Sequence, residues 1–149
     1  MTESAQHHDS FTIERVYPVA KAQVWSAWSI AEKKAAWLGN RALEMDFRPG
    51  GAERGSLRDS MGEHVNETRY FEIKDGERIV LAYSMALNGR VHTVSLATIT
   101  FMDAGGGTKL IYTEQICVIP PSDGAEGRKH GWGSLLDRLR DYLVSDSRH

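Results

Sequence analysis

The chain has 149 residues, of which 41% are apolar and 26% are charged, and its formal net charge is −2. This composition is typical of a globular protein and excludes a low-complexity or strongly charged disordered chain. The basic residues are scattered along the sequence and provide no patch for nucleic acid or for an anionic membrane. We therefore expect neither of these partners.

The length suits one domain, because 149 residues can bury a sizeable apolar core. Residues 1–9 show neither apolar periodicity nor turn residues, so they are predicted to be a disordered tail ahead of one domain over residues 10–146. No segment has the apolar length of a signal peptide or of a membrane-spanning helix. A cytoplasmic location is therefore expected.

The first third of the domain predicts one strand and two short helices. Residues 11–17 alternate between apolar and polar side chains, and Pro18 ends this strand because proline cannot donate a ladder hydrogen bond. Apolar residues then recur at helical spacing over residues 20–28. Residues 31–37 predict a second short helix, which Gly39-Asn40 ends.

Six further strands are predicted in the middle of the chain. They cover residues 43–47, 53–59, 63–74, 78–87, 93–102 and 108–119. The segment Arg48-Pro49-Gly50-Gly51 predicts a turn in which Gly50 or Gly51 has a positive φ. Three successive glycines at 105–107 join two strands with no helix after them, so they predict a hairpin tip rather than a phosphate-binding loop.

The last element is an amphipathic helix. Six apolar residues between 132 and 143 recur at helical spacing, with charged residues on the opposite face. The helix is predicted to begin near Asp123, and the glycines in its first half predict a start that is irregular or mobile.

This order of elements matches the helix-grip fold, and four groups of residues resemble the Hsp90 ATPase activator homologue-like family of the START/Bet v 1 superfamily. The groups are Arg15-Val16-Tyr17 with residues 24–28, residues 37–39 with 46–51, residues 106–110 with 113–115, and Gly131-Trp132 with residues 135–139. The resemblance covers about residues 11–144. The family usually has Ala-Pro and Asp-Pro near the first two helices, where this chain has Val19-Ala20 and Ile30-Ala31.

The resemblance implies an α+β fold in which a curved, seven-stranded antiparallel sheet wraps a long C-terminal helix. It also implies a cavity between sheet and helix that holds a hydrophobic or amphipathic small molecule. It does not imply one reaction, because relatives include lipid carriers, hormone receptors, polyketide cyclases and chaperone cofactors.

Glu114 is the main candidate for chemistry, because its parity with Tyr112 places a carboxylate on the inner, apolar face of a strand. A buried carboxylate must be paired, hydrogen-bonded or protonated. One interpretation is a structural ion pair with Arg54, Arg69 or His130. The other is an anchor for a ligand, or a general acid or base that works with His130 across the cavity.

Aromatic and apolar residues form the rest of the predicted site. The predicted ligand-binding residues are Trp37, Phe71, Tyr83, Met85, Tyr112, Glu114, Trp132 and Leu136. Tyrosine hydroxyls would supply the few polar points that orient a ligand. The alternative interpretation is that these side chains only fill the core.

The leading hypothesis for function is non-catalytic binding of a hydrophobic or aromatic small molecule. The alternatives are a cyclase, dehydratase or hydrolase that uses Glu114 and His130, and an Hsp90 co-chaperone, which the lack of a second module disfavours. No metal site or cofactor is predicted, since the sequence contains neither paired cysteines nor a His-Glu-x-x-His motif. A homodimer formed through an exposed edge strand or through the N-terminal helices is a further possibility that the sequence does not decide.

Overall fold

The structure is a computed structural model that describes residues 5–39 and 42–146. Its elements are β1 (His7–Tyr17), α1 (Lys21–Ser29), α2 (Ala31–Trp37), β2 (Ala42–Met45), β3 (Ala52–Asp59), β4 (Gly62–Lys74), β5 (Arg78–Leu87), β6 (Arg90–Ala104), β7 (Gly107–Val118) and α3 (Gly124–Asp146). The predicted order of elements and the helix-grip architecture are confirmed. Residue Asn40, predicted to help end α2, lies outside the described residues.

The strands form one antiparallel sheet in the order β1-β7-β6-β5-β4-β3-β2. Consecutive strands from β2 to β7 are neighbours, whereas β1 crosses to pair with β7. Buried residues alternate along β5 and β7, which gives these strands one inner face toward the helices. On α3, Leu136, Leu139 and Leu143 are buried in the same core.

The N-terminal strand begins earlier than predicted. His7 to Asp9 pair with Val118 to Ile116, so the prediction of a disordered tail is wrong for these residues. Main-chain hydrogen bonds to an adjacent strand require no apolar periodicity, and periodicity was the signal that defined the tail. Residues 1–4 lie outside the described residues.

The last helix runs from Gly124 to Asp146, and the glycines of its first half do not interrupt it. Its first residue, Gly124, has φ +76°, outside the helical region, so the start is irregular at that residue. The Ser122 hydroxyl accepts a hydrogen bond from the backbone N–H of Gly124 at 3.2 Å, which supplies one of the partners that a helix start requires. Within residues 5–39 and 42–146, no helix is long and apolar enough to span a bilayer.

The turn at residues 48–51 is fixed by the main chain around it. Gly50, one of the two glycines predicted to have a positive φ, has φ +82°. Its N–H donates to the Tyr70 carbonyl at 2.8 Å. The Tyr70 N–H donates in turn to the Gly51 carbonyl at 3.0 Å. A Cβ on Gly51 would lie only 2.1 Å from the Asp46 carbonyl oxygen. The motif is therefore a tight loop that positions Tyr70, and a side chain at Gly51 would displace it.

We expect Gly51→Ala to lower the free energy of unfolding by about 3 kcal/mol, because backbone must move to admit the methyl group. The matched variant Gly50→Ala meets nothing within 4 Å and carries only the cost of a positive φ, about 1 kcal/mol. Urea titration of both variants measures the difference. Equal losses would contradict the close approach at Gly51.

Candidate functional site

A cavity of about 660 Å³ lies between the inner face of the sheet and α3. Its wall is formed by residues of the sheet, of α3, and of α1 and α2. Four of the predicted site residues line it: Tyr83, Met85, Tyr112 and Trp132. The indole of Trp132 stacks on Tyr112 at a ring-centroid distance of 4.4 Å. One side of the cavity is therefore an aromatic surface.

The other four predicted site residues, Trp37, Phe71, Glu114 and Leu136, do not line the cavity. Trp37 and Leu136 are fully buried behind the wall, where Trp37 donates to the Ala27 carbonyl at 2.8 Å. Phe71 is 61% exposed, so its predicted place in the lining is wrong. A register shift between Tyr70 and Glu72 breaks the alternation of β4 at this residue, and period-two counting cannot detect such a bulge.

The carboxylate of Glu114 is completely buried and accepts four hydrogen bonds. Its Oε1 accepts from the hydroxyls of Tyr83 at 2.8 Å and Tyr112 at 2.6 Å. Its Oε2 accepts from the Ser95 hydroxyl at 2.5 Å and from an Arg128 Nη at 3.2 Å. Four donors fill the acceptor sites of a carboxylate. Glu114 therefore organises the cavity wall and has no free acceptor site for a substrate proton.

The ion-pair partner of Glu114 is Arg128, which sequence reasoning missed. The predicted partners Arg54, Arg69 and His130 are all exposed, so these interpretations are wrong. His130 lies instead in a separate groove between β1 and α3. Two residues along a helix correspond to a rotation of about 200° about its axis, so Arg128 and His130 lie on nearly opposite faces of α3. The helix therefore cannot direct both side chains to Glu114. The proposed acid–base pair of Glu114 and His130 does not form.

The Tyr83 hydroxyl is engaged on all sides. It donates to Glu114 and accepts from Arg128 at 2.8 Å and from the Trp132 indole at 3.1 Å. Burial, with a smaller contribution from Glu114, raises the pKa of Tyr83, and burial also raises the pKa of Tyr112. Both phenols remain protonated donors to Glu114. The sequence predicts that the Tyr83 hydroxyl orients a ligand by a hydrogen bond. In the structure its donor and both acceptor positions are used by protein groups.

A second buried ion pair lies on the wall at α2 and β3. Lys34 Nζ is 2.7 Å from Glu53 Oε1 and also donates to the Tyr70 hydroxyl at 3.3 Å. Tyr70 donates a short hydrogen bond to Glu53. The Lys34 ammonium lies 5.4 Å from the centre of the Trp28 ring, within the range of a cation–π contact. This cluster fixes α2 against the sheet, and sequence reasoning missed it.

Two buried nitrogens on lining residues have no hydrogen-bond partner within the described parts of the chain. They are the indole Nε1 of Trp28 and the Nδ1 of His92. Burial, together with the nearby charge of Arg128, lowers the pKa of His92, which favours the neutral imidazole. Both residues belong to the cavity wall, but the two nitrogens themselves are inaccessible and do not face the open space.

Two glycines of α3, Gly127 and Gly131, line the cavity one helical turn apart. A Cβ on Gly131 would meet no atom within 4 Å, whereas a Cβ on Gly127 would lie 2.4 Å from Asp123 Oδ2. Glycine costs about 0.5–1 kcal/mol relative to alanine inside a helix. Gly127 therefore makes room for Asp123, and Gly131 leaves its part of the wall without a side chain.

No group of three or more His, Cys, Asp or Glu side chains that could bind a metal ion occurs in the part of the chain that the structure describes.

Comparison with known proteins gives a family and a set of similar structures. The model of the family described as Activator of Hsp90 ATPase homolog 1-like protein matches residues 18–144. A comparison with curated proteins gives no match. An uncharacterized protein from Rhizobium leguminosarum is 32% identical, with a TM-score of 0.90 and coverage of 95% of this chain and 97% of that chain.

Two further solved structures are similar. Mll3558 from Rhizobium loti is 31% identical, with a TM-score of 0.86 and coverage of 93% of this chain and 99% of that chain. NE0264 from Nitrosomonas europaea is 21% identical, with a TM-score of 0.78 and coverage of 94% and 97%. At 21% identity this last likeness supports the fold alone.

We expect Glu114→Gln to lower the free energy of unfolding by about 3–5 kcal/mol, because it removes the counter-charge of Arg128 and directs an amide at hydroxyl or guanidinium donors. Glu72→Gln is the matched control, since Glu72 pairs with Arg78 at 2.6 Å while both side chains stay substantially exposed. This control should change stability little, because exposed pairs are screened by solvent. Chemical denaturation measures both, and similar losses would contradict a special role for Glu114.

The lowered pKa of His92 predicts a pH dependence of stability. Below its ordinary pKa of 6.5 the unfolded chain protonates this residue before the folded protein does. Stability should therefore fall as the pH drops below about 6.5 and toward the folded-state pKa. His92→Gln should reduce the loss measured by urea titration between about pH 7 and pH 5, and His130→Gln controls for removal of one histidine. An unchanged loss in His92→Gln would contradict the assignment.

Proposed function

The chain belongs to the Activator of Hsp90 ATPase homolog 1-like family, and from this membership and the site we propose that it binds a hydrophobic or aromatic small molecule between the sheet and α3. The observation that carries the proposal is the cavity of about 660 Å³ with its aromatic wall. Ligand sites in proteins typically measure about 300–1,000 Å³ and combine apolar walls with a few polar groups. The volume and the lining both fit this description.

The polar side chains of the wall support binding by shape and apolar contact. Glu114 and Arg128 neutralise each other at 3.2 Å, and Lys34 and Glu53 do so at 2.7 Å. Each of these buried charges has a counter-charge, and Arg90 and Asp123, which also line the cavity, are exposed. Among the described residues, the wall therefore offers no unpaired buried charge to an ionic ligand. The same pairs hold their strands and helices in place without a ligand, so the cavity is preformed.

Proton-transfer catalysis receives less support. The acid–base pair suggested by the sequence consists of Glu114, whose acceptor sites are filled, and His130, which lies in a different groove. A binding role requires neither residue to exchange a proton. We therefore rank binding above the cyclase, dehydratase or hydrolase alternative.

Gly131 allows a direct test, because it lines the cavity and a Cβ there would meet no atom within 4 Å. We expect the uncharged fluorescent probe N-phenyl-1-naphthylamine to bind the wild type. Gly131→Phe should weaken its binding about tenfold or more, which corresponds to about 1.4 kcal/mol, by occupying the cavity. The matched variant Gly131→Ala also removes the glycine from the helix interior but adds little volume, and should bind like the wild type.

The two variants separate occupation of the cavity from damage to the fold. Thermal unfolding should show both folded, and the probe should raise the melting temperature of wild type and Gly131→Ala by mass action. Equal affinity of all three proteins would place the probe elsewhere and contradict the proposal. Failure of the probe and of a panel of uncharged aromatics to bind would favour the Hsp90 co-chaperone alternative, which a pull-down with Hsp90 then tests.

A further inference from the structure

The outer face of the sheet, on the side away from α3, has an uncharged centre. Along β5, β6 and β7 buried residues alternate with more exposed ones, and the exposed set points outward. The outward residues are uncharged from Val80 to Ala86 on β5, from Val94 to Met102 on β6 and from Ile111 to Cys117 on β7. We call these outward residues the outer patch. Val94 at 45% and Leu96 at 41% are its most central exposed apolar side chains.

The size and surroundings of the outer patch are those of an interaction surface. Three strands about 4.8 Å apart and about nine residues of β6 give it an area of about 400 Å², and patches of this size on a monomer are often functional. The strands on either side, β4 and β1, carry charged outward residues such as Arg69, Lys74 and Glu14. An uncharged centre within a charged rim is the usual anatomy of a protein–protein interface.

The bulge in β4 adds an aromatic side chain to this face. Tyr70 is buried and pairs with Leu81, whereas Glu72 pairs with the outward Val80. Phe71, between them, also points outward and is 61% exposed at the border of the outer patch. Aromatic residues are typical anchors of protein–protein interfaces. A partner that covers this face would therefore bury the ring of Phe71.

The strand registers make the outer face complementary to itself. Lys74 on β4 and Glu14 on β1 lie in one row across the sheet, at the level of Thr100 on β6. A two-fold axis parallel to β6 places β4 of one copy over β1 of the other when two sheets pack face to face. Lys74 of each copy then faces Glu14 of the second copy. Sheets packed in this way lie about 10 Å apart, which these two side chains together can span.

The other rows fit the same arrangement. They place Glu67 opposite His8, Arg69 opposite Ser10, and Glu72 opposite Thr12 of the second copy. Each charged outward residue of β4 in these rows thus meets an opposite charge, a histidine or an uncharged side chain. The five strands from β4 to β1 cover about 700 Å² over this length, close to the roughly 800 Å² per partner of a stable interface.

We infer that the outer face of the sheet binds the same face of a second copy of this chain and forms a two-fold dimer. The outer patch lies at the centre of the interface, Phe71 packs beside it, and Lys74–Glu14 ion pairs lie on both sides. This surface differs from the edge strand and the N-terminal helices that the sequence left as possibilities. The cavity lies on the opposite side of the sheet, so the dimer does not depend on a ligand.

Sedimentation equilibrium of the wild type at increasing concentration tests the inference. A reducing agent excludes a disulfide through Cys117. We expect a monomer–dimer equilibrium at micromolar concentrations. Leu96→Glu brings two like charges together near the axis and should raise the dissociation constant about tenfold or more.

Ile30→Glu is the matched control. Ile30 is 43% exposed and Leu96 is 41% exposed, but Ile30 lies between α1 and α2 rather than on the sheet. This variant should dimerise like the wild type. Circular dichroism and thermal unfolding check that both variants are folded.

A charge swap tests the two-fold geometry and does not depend on Leu96→Glu being folded. Lys74→Glu alone should weaken the dimer about fivefold, and adding Glu14→Lys should restore it. Within one copy these residues are four strand spacings apart, about 19 Å, so the rescue reports a contact between copies. Both side chains are exposed, and their pairs within the chain, Lys74 with Glu77 and Glu14 with Lys109, contribute little to folding.

Three results would overturn the inference. The first is a wild type that stays monomeric throughout the concentration series, including one that uses this face only for a different protein. The second is a dimer that Ile30→Glu dissociates and a folded Leu96→Glu does not, which would place the interface at the N-terminal helices. The third is a double charge-swap variant that dimerises no better than Lys74→Glu alone.

Discussion

The burial of one carboxylate constrains much of the cavity wall. Glu114 is 0% exposed, and its charge is compatible with the interior only if donors surround it. Those donors come from three different elements in addition to its own strand: Tyr83 on β5, Ser95 on β6 and Arg128 on α3. Ala97, directly opposite on β6, is small enough to leave room. Satisfying Glu114 thus fixes the distance between the sheet and the start of α3.

This constraint explains why a cavity can persist where a core would otherwise collapse. The guanidinium of Arg128 donates to Glu114, Tyr83 and Thr93, so it joins α3 to three strands at this level. Farther along the helix, Leu136, Leu139 and Leu143 close the space with ordinary apolar packing. Gly127, Gly131, Trp132 and Leu135 line the cavity along this part of α3.

The parts of this structure that depend on a repeating pattern were predictable from the sequence. Period two placed Tyr112 and Glu114 on the inner face of β7, and period 3.6 identified the apolar stripe of α3. The parts that depend on one local event were not. A bulge exposes Phe71, and strand pairing without apolar alternation extends β1 to His7.

The site residues divide in the same way. Arg128 lies four residues before Trp132 and seven before Leu135, so extending the apolar stripe of α3 by one turn would place it on the inner face. It was missed because an arginine in a glycine-rich stretch adds no apolar residue to that stripe. Glu53 lies on the same face of its strand as the buried Gly51 and Gly55. Because neither neighbour has an apolar side chain, the sequence does not show that this face is the inner one. The matching position of Lys34 depends on how α2 packs against the sheet. Long-range pairing of this kind has no signal in a single sequence.

The two ion pairs act on position more than on net stability. A buried pair recovers little beyond the cost of removing its charges from water, and well-packed apolar residues would often stabilise a fold as well or better. Apolar replacements for Arg128 or Lys34 would, however, have no directional bond to hold them at the wall and would be free to fill the cavity. Paired charges with hydrogen-bonded tyrosines at each end stay where their partners are. The polar wall therefore keeps the space open.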